Sequence, residues 1–110
     1  MSKVYVVQEV YGRDFMPAKK FGELVPLLQA DTQIYLSATP AVRRLTRHLS
    51  KFTDEDYLLL VGDPVLIGIA VSIACAANRG KVKLLKWDKR NMDYHAVSVD
   101  IFQKGEQFNE

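Results

Sequence analysis

Cysteine is almost missing from this 110-residue chain. Cys75 stands alone, so no disulfide can form within it. Its apolar neighbours mark a structural thiol, as expected of a protein kept in a reducing cytoplasm. Long hydrophobic runs are missing too. The longest, residues 65–77, is short of the ~20 residues that cross a bilayer. The N-terminal "MSKVYVVQEV" is too short and too polar for a signal peptide. Neither sign of charge dominates, with 15 Lys and Arg against 13 Asp and Glu for a net charge of +2. That balance does not by itself mark a nucleic-acid binder. The glycine-rich phosphate signatures G-x-G-x-x-G and G-x-x-x-x-G-K-[ST] are both absent.

The nucleophile and metal motifs are equally thin. His48, His95 and Cys75 lack the short spacing of a metal set. Ser37, Ser72 and His48 make no recognisable nucleophile motif. The sequence therefore assigns no catalytic residue, no metal and no cofactor.

What remains is a composition that is 48% hydrophobic and 25% charged, ordinary for a single folded domain spanning residues 1–110. "KVYVVQEV" reads as a strand by its β-branched and aromatic content, and "YGRDFMP" as a turn. Phe21, Leu24, Val25 and Leu28 recur at helical spacing, so a short helix is expected there despite Gly22 and Pro26. "TQIYLSA" reads as the second strand. Thr39-Pro40 then signals a helix start, with Thr39 as the cap and Pro40 in the first turn. The helix "PAVRRLTRHLSKF" places Val42, Leu45, Leu49 and Phe52 on its inner face. "TDEDYLLLVG" leads into a third strand, apolar on both faces as a central strand is. Residues 64–79 show no clean polar side and predict a deeply packed helix, stopped by Asn78-Arg79-Gly80. "KVKLLKW" and "YHAVSVDIF" are the last two strands, joined through "DKRNMD" as an antiparallel hairpin. Residues 103–110 are expected to fray.

The alternation predicts an α/β fold. It is a single three-layer domain with a mostly parallel sheet of about five strands, a C-terminal antiparallel hairpin and helices on both faces.

Two functional readings compete. In the first, Gly62-Asp63-Pro64 opens a helix at the C-terminal edge of the sheet, where α/β proteins hold phosphates. Gly62 and Asp63, with Asp88 nearby, are then candidates for a nucleotide or phosphate site, with Mg²⁺ between the two carboxylates. Glu9, Arg13, Asp14, Ser37 and Thr39 belong to the same edge. Against this, Asp63 is an excellent cap that competes for the same N–H groups, and Pro64 removes another donor.

In the second reading the protein works by binding. Arg43, Arg44, Arg47 and Lys51 form a basic helix face, while Trp87, Lys89 and Arg90 form an aromatic and cationic hairpin suited to an interface. The partner expected is a host or phage protein. Nucleic acid is the alternative, since an aromatic among cations also suits a single strand. A stripe of small residues through Gly68, Ser72 and Cys75 or Ala76 either faces the sheet or forms a homodimer seam. No membrane partner is expected.

"GRDFMPAKKFGEL", "DEDYLLLVGDPVLIGIA" and "NRGKVKLLKWDKR" together resemble small proteins of tailed bacteriophages, particularly T7-like ones. The similarity covers most of the chain. It implies synthesis in an infected bacterium, in the host cytoplasm, and an accessory role. It carries over no catalytic residue.

Overall fold

The computed structural model describes residues 1–34 and 36–103. β1 (Lys3–Gln8) is followed by a 3-10 helix (Met16–Phe21), β2 (Glu23–Leu28) and α1 (Thr39–Leu49). β3 (Tyr57–Leu59), α2 (Pro64–Ala77), β4 (Lys81–Asp88) and β5 (Asp93–Asp100) complete the order. One five-stranded sheet runs β2-β1-β3-β4-β5. Its first four strands are parallel, and β5 pairs antiparallel with β4 through all eight residues of each.

The chain moves one way from β1 to β2 and the other way through β3 and β4. Right-handed connections that reverse direction must lie on opposite faces. The core divides accordingly. On one face α1 and α2 pack Ala41, Leu45, Leu49, Leu66, Ala70 and Ala74 against Tyr5, Val7, Leu58 and Val82. On the other, Ala18 of the 3-10 helix joins Val4, Val6, Leu59, Leu85 and Tyr94, flanked by Phe15, Phe21, Tyr57 and Trp87. The second face is therefore covered by a 3-10 helix and its loop rather than by an α-helix.

Residues 21–28 are where the helical spacing misled. They form the end of the 3-10 helix and then edge strand β2. Pro26 explains the outcome, because inside a helix its ring and missing N–H are costly, whereas an edge strand can turn that position to solvent. The described residues of 32–38 are not a strand. Both sides of β1 are already taken by β2 and β3, and Leu36 projects fully into solvent.

Three finer expectations also change. Ala41, not Val42, is buried on the inner face of α1 beside Leu45 and Leu49. Thr39 does not cap α1; the Ser37 hydroxyl accepts the Thr39 N–H at 3.2 Å. α2 is buried through Leu66, Ala70, Ala74 and Cys75, with Ile67, Ile69, Val71 and Ile73 partly buried against the same core, but one stripe is left open. Its outer side leaves Val65, Gly68, Ser72 and Ala76 exposed, because among the described residues no further element packs over it. The expected frayed tail lies outside the described residues apart from Gln103. Among the described residues no helix is long and apolar enough to cross a membrane.

Candidate functional site

The topology reverses between β1 and β3, and in an open α/β sheet the crevice beyond those strand ends is where ligands gather. Here that crevice is closed by a side chain of the fold itself. Gln8, at the end of β1, is only 4% exposed. Its Oε1 accepts the Asp63 N–H at 2.8 Å. Its Nε2 donates to the carbonyl of Thr32 at 3.0 Å and to that of Gln29 at 3.2 Å. One amide thus ties together β1, the loop after β2 and the loop after β3.

Gly62 is required by the same packing. Its φ is +111°, and a Cβ there would stand 2.5 Å from Gln8. Asp63 caps α2, its Oδ1 accepting the Val65 N–H at 2.8 Å. Asp88 turns the hairpin: Oδ1 accepts from Arg90 N–H at 2.9 Å and Oδ2 from the Asn91 amide at 2.6 Å. The Asn91 bond is the main reason its carboxyl titrates below the ordinary aspartate range. Gly62, Asp63 and Asp88 therefore all have structural tasks, and Ser37 and Thr39 hydrogen-bond each other at 3.1 Å. Among the described residues no group of three or more His, Cys, Asp or Glu is placed to hold a metal ion.

The cationic face of α1 is open by contrast. Arg43, Arg44, Arg47 and Lys51 are all exposed. Arg44 has a fold-related duty, since its Nε donates to the Leu27 carbonyl at 2.7 Å and ties α1 to β2. Arg43, Arg47 and Lys51 make no ion pair among the described residues. Residues 39–51 hold no carboxylate, so repulsion along the face is uncompensated from within the helix. His48 registers it: burial lowers its pKa first, and Arg44, Arg47 and Lys51 lower it further.

The hairpin residues lie elsewhere. Trp87 packs on the 3-10 face of the sheet, while α1 covers the opposite face. The sheet therefore separates the two basic groups, the helix face and the hairpin, onto opposite faces. Trp87 meets Tyr94 edge to face, with ring centroids 4.9 Å apart at 70°. Together with Gly12, Arg13, Asp14 and Lys89 they line an open cleft of about 360 Å³. Arg90 is exposed in the same hairpin loop.

Sequence reasoning missed Gln8 and the partnership of Arg13 with the hairpin. Neither belongs to a motif. A polar residue closing an apolar strand was the only available cue for Gln8.

Residues 2–101 match the family model described as Phage Pam3 gp32-like protein. The chain belongs to that family. It is a small bacteriophage protein with an α/β fold, in line with the resemblance carried by its sequence. No curated protein and no solved structure matches the chain.

Proposed function

We propose that this member of the Phage Pam3 gp32-like family is an accessory protein that acts by binding, docking the cationic face of α1 onto an acidic surface of a host or phage protein. The observation that carries this reading is the uncompensated charge of residues 39–51. Arg43 and Arg47 are four apart on the helix and Arg44 and Arg47 three apart. Each such like-charge pair costs an isolated helix roughly 0.2–0.5 kcal/mol. No acidic residue occupies the first turn of α1 to offset it. A helix shaped only by folding gains by placing a glutamate at one of these positions; an anionic partner supplies the missing charge instead.

A protein partner fits better than a nucleic acid. The cations lie along little more than about two helical turns, and the whole chain is only +2, so few phosphates could be neutralised at once. The closed switch point supports binding over small-molecule chemistry, because the donors that a ligand would use there are engaged within the fold.

The test is a tagged pull-down from phage-infected lysate, run with and without nuclease, comparing the native chain with Arg43→Glu/Arg47→Glu/Lys51→Glu. Arg44 is left in place because it holds Leu27. The reading expects a protein retained after nuclease by the native chain and lost by the charge-reversed one, both chains melting alike. Equal retention by the two chains would remove α1 from the proposal. Loss of retention on nuclease treatment would transfer the face to nucleic acid. On docking, His48 should gain proton affinity as negative charge approaches, and because its free value is lowered from 6.5, binding should tighten as pH falls below 6.5.

A further inference from the structure

We propose that the cleft between residues 12–14 and the β4–β5 hairpin binds a single nucleotide, a base with its phosphate, either free or as one unit of a single strand. This site lies on the opposite face of the sheet from α1 and does not depend on the reading given to that helix.

The cleft has the two surfaces such a ligand needs. Trp87 supplies an aromatic face, half-buried and held edge-on by Tyr94 beneath it, so the indole is fixed before a base arrives. Stacking on a fixed ring tolerates any base, since every base has a π-face. Arg13 and Lys89 supply the charge. Both are exposed, and neither makes an ion pair among the described residues. Arg13 shares the lining with Tyr94, and its charge opposes the upward shift that burial and, to a lesser degree, Asp14 give that phenol.

The carboxylate in the lining offsets only part of this charge. Asp14 is engaged through Oδ1 by the Met16 N–H at 2.9 Å. Two cations against one carboxylate leave the lining one positive charge, which suits an anionic phosphate, ester or diester. A volume of about 360 Å³ falls at the lower end of the ~300–1,000 Å³ typical of ligand clefts, enough for one nucleotide and small for a folded epitope. The cleft is built from the segment that follows β1 and from the β4–β5 hairpin, apart from the closed switch point. An acidic peptide would use the cations and leave the indole idle.

Trp87 is the only tryptophan in the chain, so its fluorescence reports on this cleft directly. The full chain is titrated in low salt with adenosine monophosphate, with a short oligothymidylate and with an oligoglutamate. Saturable quenching by the mononucleotide, or by the oligonucleotide alone, supports the site and tells the two sources apart. In Arg13→Ala/Lys89→Ala the dissociation constant should rise by about tenfold or more, and added salt should weaken native binding. Lys89→Glu alone should act in the same direction, and both variants should keep the native melting profile because their positions are exposed. No saturable change with either nucleotide at millimolar concentration overturns the proposal. So does an unchanged response in the double variant, or quenching by oligoglutamate only.

Discussion

Replacing Gln8 with methionine keeps the volume at the switch point and deletes its hydrogen bonds. The Asp63 N–H loses an acceptor at 2.8 Å and the Thr32 carbonyl a donor at 3.0 Å. The weaker contacts to Gln29 and Ala30, at 3.2 and 3.4 Å, add little. A buried N–H left unpaired costs about 1–3 kcal/mol, and a lost neutral hydrogen bond about 0.5–1.5 kcal/mol. The expected loss is therefore roughly 2–4 kcal/mol, a large part of the ~5–15 kcal/mol typical of a domain. At about 4 °C per kcal/mol for a chain of this size, the melting temperature should drop by roughly 8–16 °C.

Gln8→Glu makes the reasoning sharper. It keeps the acceptor for Asp63 but turns a carboxylate oxygen toward three carbonyls. Its folded pKa should rise above the unfolded value of about 4.3. Stability is then intact below that value, where the acid is protonated and can donate, and is lost as pH rises through the folded pKa. Urea denaturation read by far-ultraviolet circular dichroism measures both variants against the native chain at each pH. A Gln8→Met loss below about 0.5 kcal/mol would mean that water replaces the amide and the crevice is not closed. A Gln8→Glu deficit that does not grow with pH would refute the account just as firmly.

Three further outcomes follow from the same geometry. Asp63→Ala should cost about 0.5–2 kcal/mol by removing the α2 cap, with Asp63→Asn close to native in the same denaturation assay. Gly80→Ala should be destabilising by at least about 1–2 kcal/mol, because Gly80 has φ +79° and a Cβ would stand 2.6 Å from the Phe102 ring and 2.8 Å from the Ile101 side chain; Phe102→Ala in that background should relieve the ring contact but neither the Ile101 contact nor the backbone strain. Acid should weaken the fold through Asp54, Asp88 and Asp93, whose carboxyls are pulled below 3.8 chiefly by Asn78, Asn91 and Lys20 respectively. Depressed folded values mean that this contribution is present at neutral pH and lost as pH falls below about 4. A urea midpoint that stays constant down to pH 3 would contradict it.

Much of the architecture was legible because its signals are local. Gly62-Asp63-Pro64 announces a strand end and a helix start through cap chemistry that needs no tertiary partner. Asn78-Arg79-Gly80 stops α2 in the same way, with Arg79 and Gly80 at positive φ and the Gly80 N–H donating to the Cys75 carbonyl at 2.7 Å. The hairpin of β4 and β5 follows from alternation around a turn that Asp88 can close. The basic face of α1 is likewise a matter of helical period.

Residues 21–28 and 32–38 failed for the opposite reason. Both are short apolar stretches whose fate depends on which side of β1 remains free, and β2 took the place that "TQIYLSA" was expected to fill. The candidate site shows the same division. Sequence alone determined that the chain is one α/β domain with an Asp-capped second helix, a cationic first helix and an aromatic hairpin, since caps, turns and periodicity act within a few residues. Only the tertiary structure decided that Gln8 closes the switch point, that the sheet separates α1 from Trp87, and that Arg13 joins Trp87 and Lys89 around one cleft. Those relations join residues far apart in the chain, and they exist only once the strands have chosen their neighbours.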